Sequence, residues 1–454
     1  MLRLTESAKF HVRVLILCAI PAIGCLIPPP VSAQKPKARV RLLRDDPSSM
    51  LKLGDPVRFQ ADIQNLTDST LSGEIEWRVH TVAFETPEPE TTRITVDASS
   101  DARSKYSLRL SKPGFAEVEC RFKIDGDSKL ISDRWRVGSA PEQIQVQRTN
   151  EDDFDSFWKE SIAQLQQIDP EFKLVARREK SIKDESEDGD IDVLEVSMRS
   201  FGNVRVSGWL EVPRSPGPHP VVIRVPGYGQ NMKPIGRWED MIVFSFNPRG
   251  HGNSQQDVSG EPVDFWIRGL DDRDTYYYRG AYLDCLRAIQ FVCQREDVDQ
   301  DRIAVWGGSQ GGGFAFAMAA LDSRVDFCVA DIPWLCDWPN FFKLTDWPEM
   351  NDWIEAKEQR TWTKTLKTLS YFDTMNMSDR IRCPTLMGIG LQDQVCPPAT
   401  SFAAFNQVTG EKSFRIYQTR GHGLRELHSN WVWNKMRSEF KLPVATQDAD
   451  KTSE

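Results

Sequence analysis

Histidine, metal-ligating spacing, surplus positive charge and long apolar runs are all scarce in this sequence. Its 454 residues hold six histidines and nine cysteines. No Cys-x-x-Cys pair and no His-x-x-x-His spacing occurs. The common zinc-ligand arrangements are therefore missing, and neither a metal nor another cofactor is expected. Acidic residues outnumber basic ones by 66 to 57, a net charge of -9. Nucleic-acid binding draws on clustered Lys and Arg, and there is no basic stripe with interleaved aromatics, so no nucleic-acid partner is expected. The apolar stretch Val14 to Ile27 is interrupted by Pro21 and falls short of the about 20 residues that a spanning helix needs. No membrane span is expected.

That stretch has the layout of a secretory signal. Arg3, Lys9 and Arg13 precede or border it, and Val31-Ser32-Ala33 offers a small-x-small cleavage site. Residues 1–33 are read as a signal peptide, and the mature protein as secreted or periplasmic. Lipid attachment at Cys25 after Gly24 is the less favoured alternative, because apolar sequence continues past it. Without Cys18 and Cys25, seven cysteines remain, scattered in apolar surroundings. An odd, scattered set predicts buried thiols rather than a disulfide framework, although export leaves room for one bridge.

The length predicts about two domains. Residues 34–140 read as a small all-β sandwich. Val57, Phe59, Ala61 and Ile63 alternate with polar neighbours, as do Ile75, Trp77 and Val79. Ala116, Val118, Cys120, Phe122 and Ile124 are set against Glu117, Glu119, Arg121 and Lys123. A spacer or packing role is favoured over a carbohydrate-binding module. Gly138 to Pro141 reads as a linker. From 141 to 443 the pattern changes to α/β. Phe154, Phe157, Trp158, Ile162 and Leu165 have helical spacing, and Lys180 to Asp190 reads as a solvated loop or hairpin. Mostly apolar strands at Val221–Val225, Met241–Phe246, Ile303–Trp306, Val325–Ala330 and Leu386–Ile389 alternate with helices. Such strands predict a mostly parallel sheet covered on both faces. The Trp-rich stretch from Pro333 to Thr368 predicts a cap beside the site, its aromatics read as packing. Residues 444–454 read as a disordered tail.

The chemistry centres on Gly307-Gly308-Ser309-Gln310-Gly311, a G-x-S-x-G turn between an apolar strand and a helix. In that context the motif predicts the nucleophile elbow of an α/β-hydrolase fold, with Ser309 as nucleophile. A serine needs a base, and in this fold the order is Ser, acid, His. His11, His80, His219 and His251 precede the elbow, which leaves His422 and His428. His422, in a loop just past the strand around Phe414 to Tyr417, is favoured over His428, which falls in a helical stretch. Asp393 follows the Leu386–Ile389 strand and is favoured as the acid over Asp373 and Asp379, neither of which directly follows an apolar strand. The oxyanion hole is expected from the backbone N–H groups of Gln310 and Tyr228, the latter in the loop after an early strand.

From Asp153 to the His422 region the chain resembles the acetyl xylan esterases and cephalosporin-C deacetylases. The matching segments include Asp153-Phe154-Asp155-Ser156-Phe157-Trp158, Val206-Ser207-Gly208-Trp209-Leu210 and Gly227-Tyr228. They continue through Tyr276 to Tyr282, Gly308-Ser309-Gln310-Gly311, Asp331 to Asp337, Leu369 to Asp373 and Gly390 to Pro398. The resemblance implies a serine esterase acting on acetylated carbohydrates or similar small esters, with Ser309, Asp393 and His422 at the triad positions. It places Tyr228 and Gln310 at the oxyanion-hole positions. Three departures stand out. Arg249-Gly250-His251 replaces Arg-Gly-Gln, and His422-Gly423 replaces His-Glu. Both changes lie in loops expected to shape the site or its supports, which leaves the substrate range open, with Arg249 fixing its loop. The third departure is the added β region. Compact members imply a closed hexamer, which such a region would block or alter, so a homo-oligomer is left open. The competing readings are a broad carboxylesterase or peptidase on the same triad, and an inactive carbohydrate-binding scaffold.

Overall fold

Alternating apolar and polar residues build the N-terminal strands. The computed structural model describes residues 35–176, 191–258, 264–345 and 347–444. The expected signal peptide, the Lys180–Asp190 loop and the tail beyond residue 444 lie outside the described residues. Seven strands come first: β1 (Ala38–Arg44), β2 (Pro56–Asn65), β3 (Leu71–Thr81), β4 (Glu90–Val96), β5 (Asp101–Arg109), β6 (Gly114–Ile124) and β7 (Leu130–Ser139). They form two antiparallel sheets, ordered β1-β2-β5 and β4-β3-β6-β7. Val57, Phe59, Ala61, Ile63, Ile75, Trp77, Val118 and Phe122 meet in one buried cluster, as period-two patterning requires.

Two features depart from the sequence reading. Glu117 and Glu119, which the alternation places on a polar face, are buried. Glu119 is paired with Arg121 and lies 3.4 Å from His80, and Glu117 is paired with Arg136. The expected linker is no loose tether. Gly138 and Ser139 are the buried end of β7, paired with Phe115 and Gly114, and Pro141 is buried at the start of a 3-10 turn. Asn406 Nδ2 then donates to the carbonyls of Pro141 and Ile144, both at 2.9 Å.

The remaining strands make one nine-stranded sheet. In chain order the elements are α1 (Phe154–Gln166), β8 (Lys173–Ala176), β9 (Ile191–Arg199), β10 (Arg205–Pro213), β11 (His219–Val225), β12 (Ile242–Asn247), α2 (Tyr277–Cys293) and β13 (Val298–Gly308). Then come α3 (Gln310–Leu321), β14 (Phe327–Asp331), α4 (Trp338–Leu344), α5 (Pro348–Glu355), α6 (Trp362–Ser370), β15 (Thr385–Gly390), α7 (Pro398–Phe405), β16 (Lys412–Tyr417) and α8 (Arg425–Glu439). The spatial order is β16-β15-β14-β13-β11-β12-β10-β9-β8. The first six run parallel, and β10, β9 and β8 each pair antiparallel with the strand before them in that order. This is the α/β-hydrolase arrangement, preceded by an all-β region.

Its strands read as apolar because both faces are covered. Val221, Ile223, Val305 and Ile389 join the core under α2 and α3. Val222, Val243, Ala304, Val329 and Leu386 pack with Trp431, Val432 and Trp433 of α8. All seven described cysteines are free thiols, five of them buried. No helix among the described residues is long and apolar enough to cross a membrane.

Phe115 sits on β6 yet belongs to the large core of the α/β sheet, its ring 5.6 Å from that of Phe402 on α7. Phe115→Ala is expected to cost about 3–5 kcal/mol, as buried aromatic truncations do, in one cooperative unfolding transition followed by denaturant titration. A cost below about 1 kcal/mol would contradict this shared packing.

Candidate active site

The carboxyl ends of the parallel strands gather the candidate residues at one edge of the sheet, where open α/β sheets bind ligands. β13 ends at Gly308 and α3 starts at Gln310, so the chain reverses at Ser309, with φ 59° and ψ -122°. Two glycines make this turn sterically allowed. A Cβ on Gly307 would lie 2.3 Å from the backbone of Gly311, and one on Gly311 would lie 2.6 Å from the Val225 carbonyl. The turn is tied on both sides. Ser309 N–H donates to the Asp331 carbonyl at 2.9 Å, and the Ser309 carbonyl accepts from Trp334 N–H at 3.0 Å.

β15 and β16 deliver the candidate acid and base. Leu391 N–H donates to the Tyr417 carbonyl at 2.9 Å and Gln392 N–H to the Arg420 carbonyl at 2.8 Å, which binds the two loops together. His422 Nε2 lies 3.0 Å from Ser309 Oγ, and His422 Nδ1 lies 2.8 Å from Asp393 Oδ2. Asp393 is fully buried. Its other oxygen, Oδ1, accepts from the N–H groups of Val395 at 2.8 Å and Cys396 at 2.9 Å. With one oxygen fixed by backbone, the carboxylate offers the other to His422. The assigned tautomer has Nδ1–H donating to Asp393 and Nε2 accepting from Ser309.

The Cys396 thiol lies 3.9 Å from Ser309 Oγ. Burial, and then the charge of Asp393, hold its pKa well above the ordinary thiol range, so it is a neutral neighbour. Ligand atoms of Asp393, Cys396 and His422 lie within 4.8 Å of one another, close enough to hold a metal ion. A metal there would have to displace the hydrogen bonds that Asp393 already makes and deprotonate a buried thiol.

Tyr228 lies in the loop after β11, where a Cβ on the preceding Gly227 would stand 3.5 Å from the Gly308 carbonyl. That places the loop against the elbow. The Tyr228 ring meets Trp334 edge-on at 5.6 Å. Burial raises its phenol well above the ordinary value, so it stays neutral. Gln310 opens α3, where a backbone N–H has no acceptor one turn back. Its side chain is held by residues that the motif analysis did not assign. Tyr278 Oη–H donates to Gln310 Oε1 at 2.7 Å. Gln310 Nε2–H donates to His251 Nε2 at 3.2 Å, and His251 Nδ1–H donates to the Gln230 carbonyl at 2.8 Å.

His251 lies in one of the loops expected to shape the site or its supports, and it holds the Gln310 side chain. It is 1% exposed and braces the elbow. Gly423 does lie at the open site, and a Cβ there would meet nothing within 4 Å. Arg249 grips both oxygens of Asp284, at 2.8 and 2.9 Å. The cap stretch forms α4, α5 and α6, and Trp347 stacks on Trp334 at 5.5 Å.

The other candidates are engaged elsewhere. His428 is buried, with Nε2 2.7 Å from Asp331 Oδ1. Asp331 Oδ2 accepts from Trp306 Nε1–H at 2.9 Å, so this pair braces the residue whose carbonyl holds Ser309. Asp373 accepts from the N–H groups of Asp337, Trp338 and Met375. Burial, with the nearby Asp337 charge, pushes its pKa up to about 7. Asp379 pairs with Arg148. His219 Nε2 bonds the Ser215 carbonyl at 2.9 Å.

Comparison with known proteins adds to this geometry. The acetyl xylan esterase (AXE1) family model matches residues 142–437. Acetyl esterase Axe7A of Xylanibacter ruminicola is 29% identical over 329 residues, covering 69% of this chain and 72% of that protein. A solved acetyl xylan esterase from a Paenibacillus species is 34% identical with a TM-score of 0.59, covering 66% of this chain and 98% of that one. Another from a Thermoanaerobacterium species is 28% identical with the same TM-score and the same coverage.

Burial lowers the pKa of His251, so it is neutral at pH 7 and accepts from Gln310. The unfolded chain protonates this histidine near its ordinary value, about 6.5. Below that pH the unfolded state binds the extra proton, and stability falls as pH falls. The wild type is expected to lose more unfolding free energy between pH 7 and pH 5 than His251→Gln. Equal losses in chemical denaturation would contradict the assignment.

Proposed function

Because this chain belongs to the acetyl xylan esterase family and is a carboxylic ester hydrolase, we propose that it removes acetyl groups from acetylated carbohydrates or similar small esters, through Ser309, His422 and Asp393. The observation that carries this reading is the unbroken line of hydrogen bonds from Asp393 Oδ2 through His422 to Ser309 Oγ, ending at a serine on a crowded strand-to-helix turn.

His422 Nε2 takes the Ser309 hydroxyl proton as Oγ attacks the ester carbonyl. Asp393 holds the imidazole in the tautomer that accepts this proton and stabilises the imidazolium that results. The N–H groups of Gln310 and Tyr228 receive the oxyanion, supported by the positive end of α3. The alcohol leaves with the proton from His422. Water, deprotonated by the same imidazole, then attacks the acetyl-serine and releases acetate. The bracing of Gln310 by His251 and Tyr278 supports an oxyanion donor that is fixed before substrate arrives. Residues 1–33 export the protein, which works as a secreted or periplasmic enzyme. Residues 34–140 form its β sandwich and 141–443 its hydrolase domain.

The test is a panel of acetylated xylo-oligosaccharides, an acetylated cephalosporin and esters of longer acyl groups, with short peptides as controls. Acetyl esters are expected to be hydrolysed fastest and peptides not at all. Ser309→Ala is expected to lower kcat by at least about 10⁴-fold, as loss of a serine nucleophile does. A Ser309→Ala enzyme as fast as wild type would sink the assignment.

A further inference from the structure

The loop that carries Asp393 is gripped from outside the α/β sheet. Glu117 on β6 and Arg136 on β7 are directly opposed across their sheet, and each is only 6% exposed. Arg136 Nη2–H donates to Glu117 Oε2 at 2.7 Å. Its Nη1–H reaches the Leu391 carbonyl at 3.1 Å and also the carbonyl of Asp393 itself. The Arg136 backbone N–H donates to Gln392 Oε1 at 2.8 Å. Gln392 Nε2–H donates back to the Arg136 carbonyl at 3.0 Å and to the Gln418 carbonyl at 2.8 Å. Gln394 Nε2–H donates to Glu117 Oε2, and Arg134 Nη1–H donates to Gln394 Oε1 at 3.3 Å. Each residue from Leu391 to Gln394 therefore bonds to β6 or β7.

A buried ion pair is a weak way to gain stability, since desolvation offsets most of the attraction. What an arginine does well in such a place is hold geometry. Its donors leave the guanidinium in a rigid plane, and here that plane spans one carboxylate and two carbonyls. We propose that Arg136, oriented by Glu117, is a positioning residue for Asp393: through it the N-terminal β region sets the placement of the acid against His422. This rests on the triad reading above. Asp393 Oδ1 is already fixed by its own loop, so what remains to be set is where the whole loop stands relative to the His422 loop. Arg136 and Gln392 supply that reference. A displacement of about 1 Å in such a support costs up to about 10²-fold in rate.

The test uses the full-length enzyme with Arg136→Lys, which keeps a charge for Glu117 but has no planar fork to span the two carbonyls. Activity on an acetyl ester is measured together with the low-field proton resonance of His422 Nδ1–H, which reports the bond to Asp393. Arg121→Ala is the control. Arg121 lies on the same strand as Glu117 and pairs with Glu119 at 2.8 Å. The expected result for Arg136→Lys is a kcat about 10- to 100-fold lower, a KM within about twofold and a shifted or broadened resonance, with Arg121→Ala like wild type in all three. Should Arg136→Lys fail to fold, Gln392→Ala decides by the same criteria, since it cuts the two bonds between the Gln392 side chain and the Arg136 backbone without leaving a buried charge. A folded variant with wild-type kcat and resonance would overturn the proposal and leave the esterase reading intact. A wild type whose Ser309 resists a fluorophosphonate probe would overturn both.

Discussion

The structure turns on one crowded backbone reversal, at Ser309. A non-glycine residue at φ 59° and ψ -122° is strained by about 1–3 kcal/mol and persists only where its surroundings over-determine it. Here they do. Gly307 and Gly311 leave no room for a Cβ, the Asp331 carbonyl holds the Ser309 N–H and Trp334 N–H holds its carbonyl. Asp331 is itself fixed by His428, Gly388 and Trp306. The strain has a use: it lifts the hydroxyl off the strand end and opens a helix directly behind it, so that the proposed nucleophile and one proposed oxyanion donor are consecutive residues.

The same edge of the sheet sets everything else. β11, β14, β15 and β16 run parallel with β13, and their ends bring Tyr228, Trp334, Asp393 and His422 toward the elbow. Tight loops finish the placement. Gly390 is a glycine because a Cβ would stand 2.1 Å from the Gly421 carbonyl, which is how closely the Asp393 and His422 loops pass. The all-β region bears on that contact from the far side, through a buried charge pair rather than a greasy interface. Its apolar contact with the α/β core includes Phe115 against Phe402, with Met50 and Val82 packed on the same core. This arrangement makes the β region part of the frame around the site.

Much of this was legible in the sequence. Strands buried on both faces show as apolar runs, and the G-x-S-x-G turn shows as itself. The scarcity of histidine left two candidates after Ser309, and the one past a strand end is the one found 3.0 Å from Ser309 Oγ. What was not legible shares a physical cause. Glu117 alternates with apolar residues, and a polar face in solvent has the same pattern as one covered by another part of the chain. His251 and Gln310 are 59 positions apart, and no periodicity links them, so His251 reads as a loop variation. The pairing of His428 with Asp331 is hidden in the same way. Contacts made by topology, rather than by spacing, leave no local signal.

The proposed activity depends on covalent chemistry at Ser309. The direct measurement is to mix the enzyme with an acetyl ester, quench in acid during turnover, digest, and locate any acetyl group by mass spectrometry. The prediction is a single acetyl on the peptide that contains Ser309, absent when Ser309→Ala is treated in the same way. Acetyl carried on Cys396 instead, 3.9 Å away, or a protease-mapped enzyme that turns over acetyl ester with Ser309 never acylated, would contradict it.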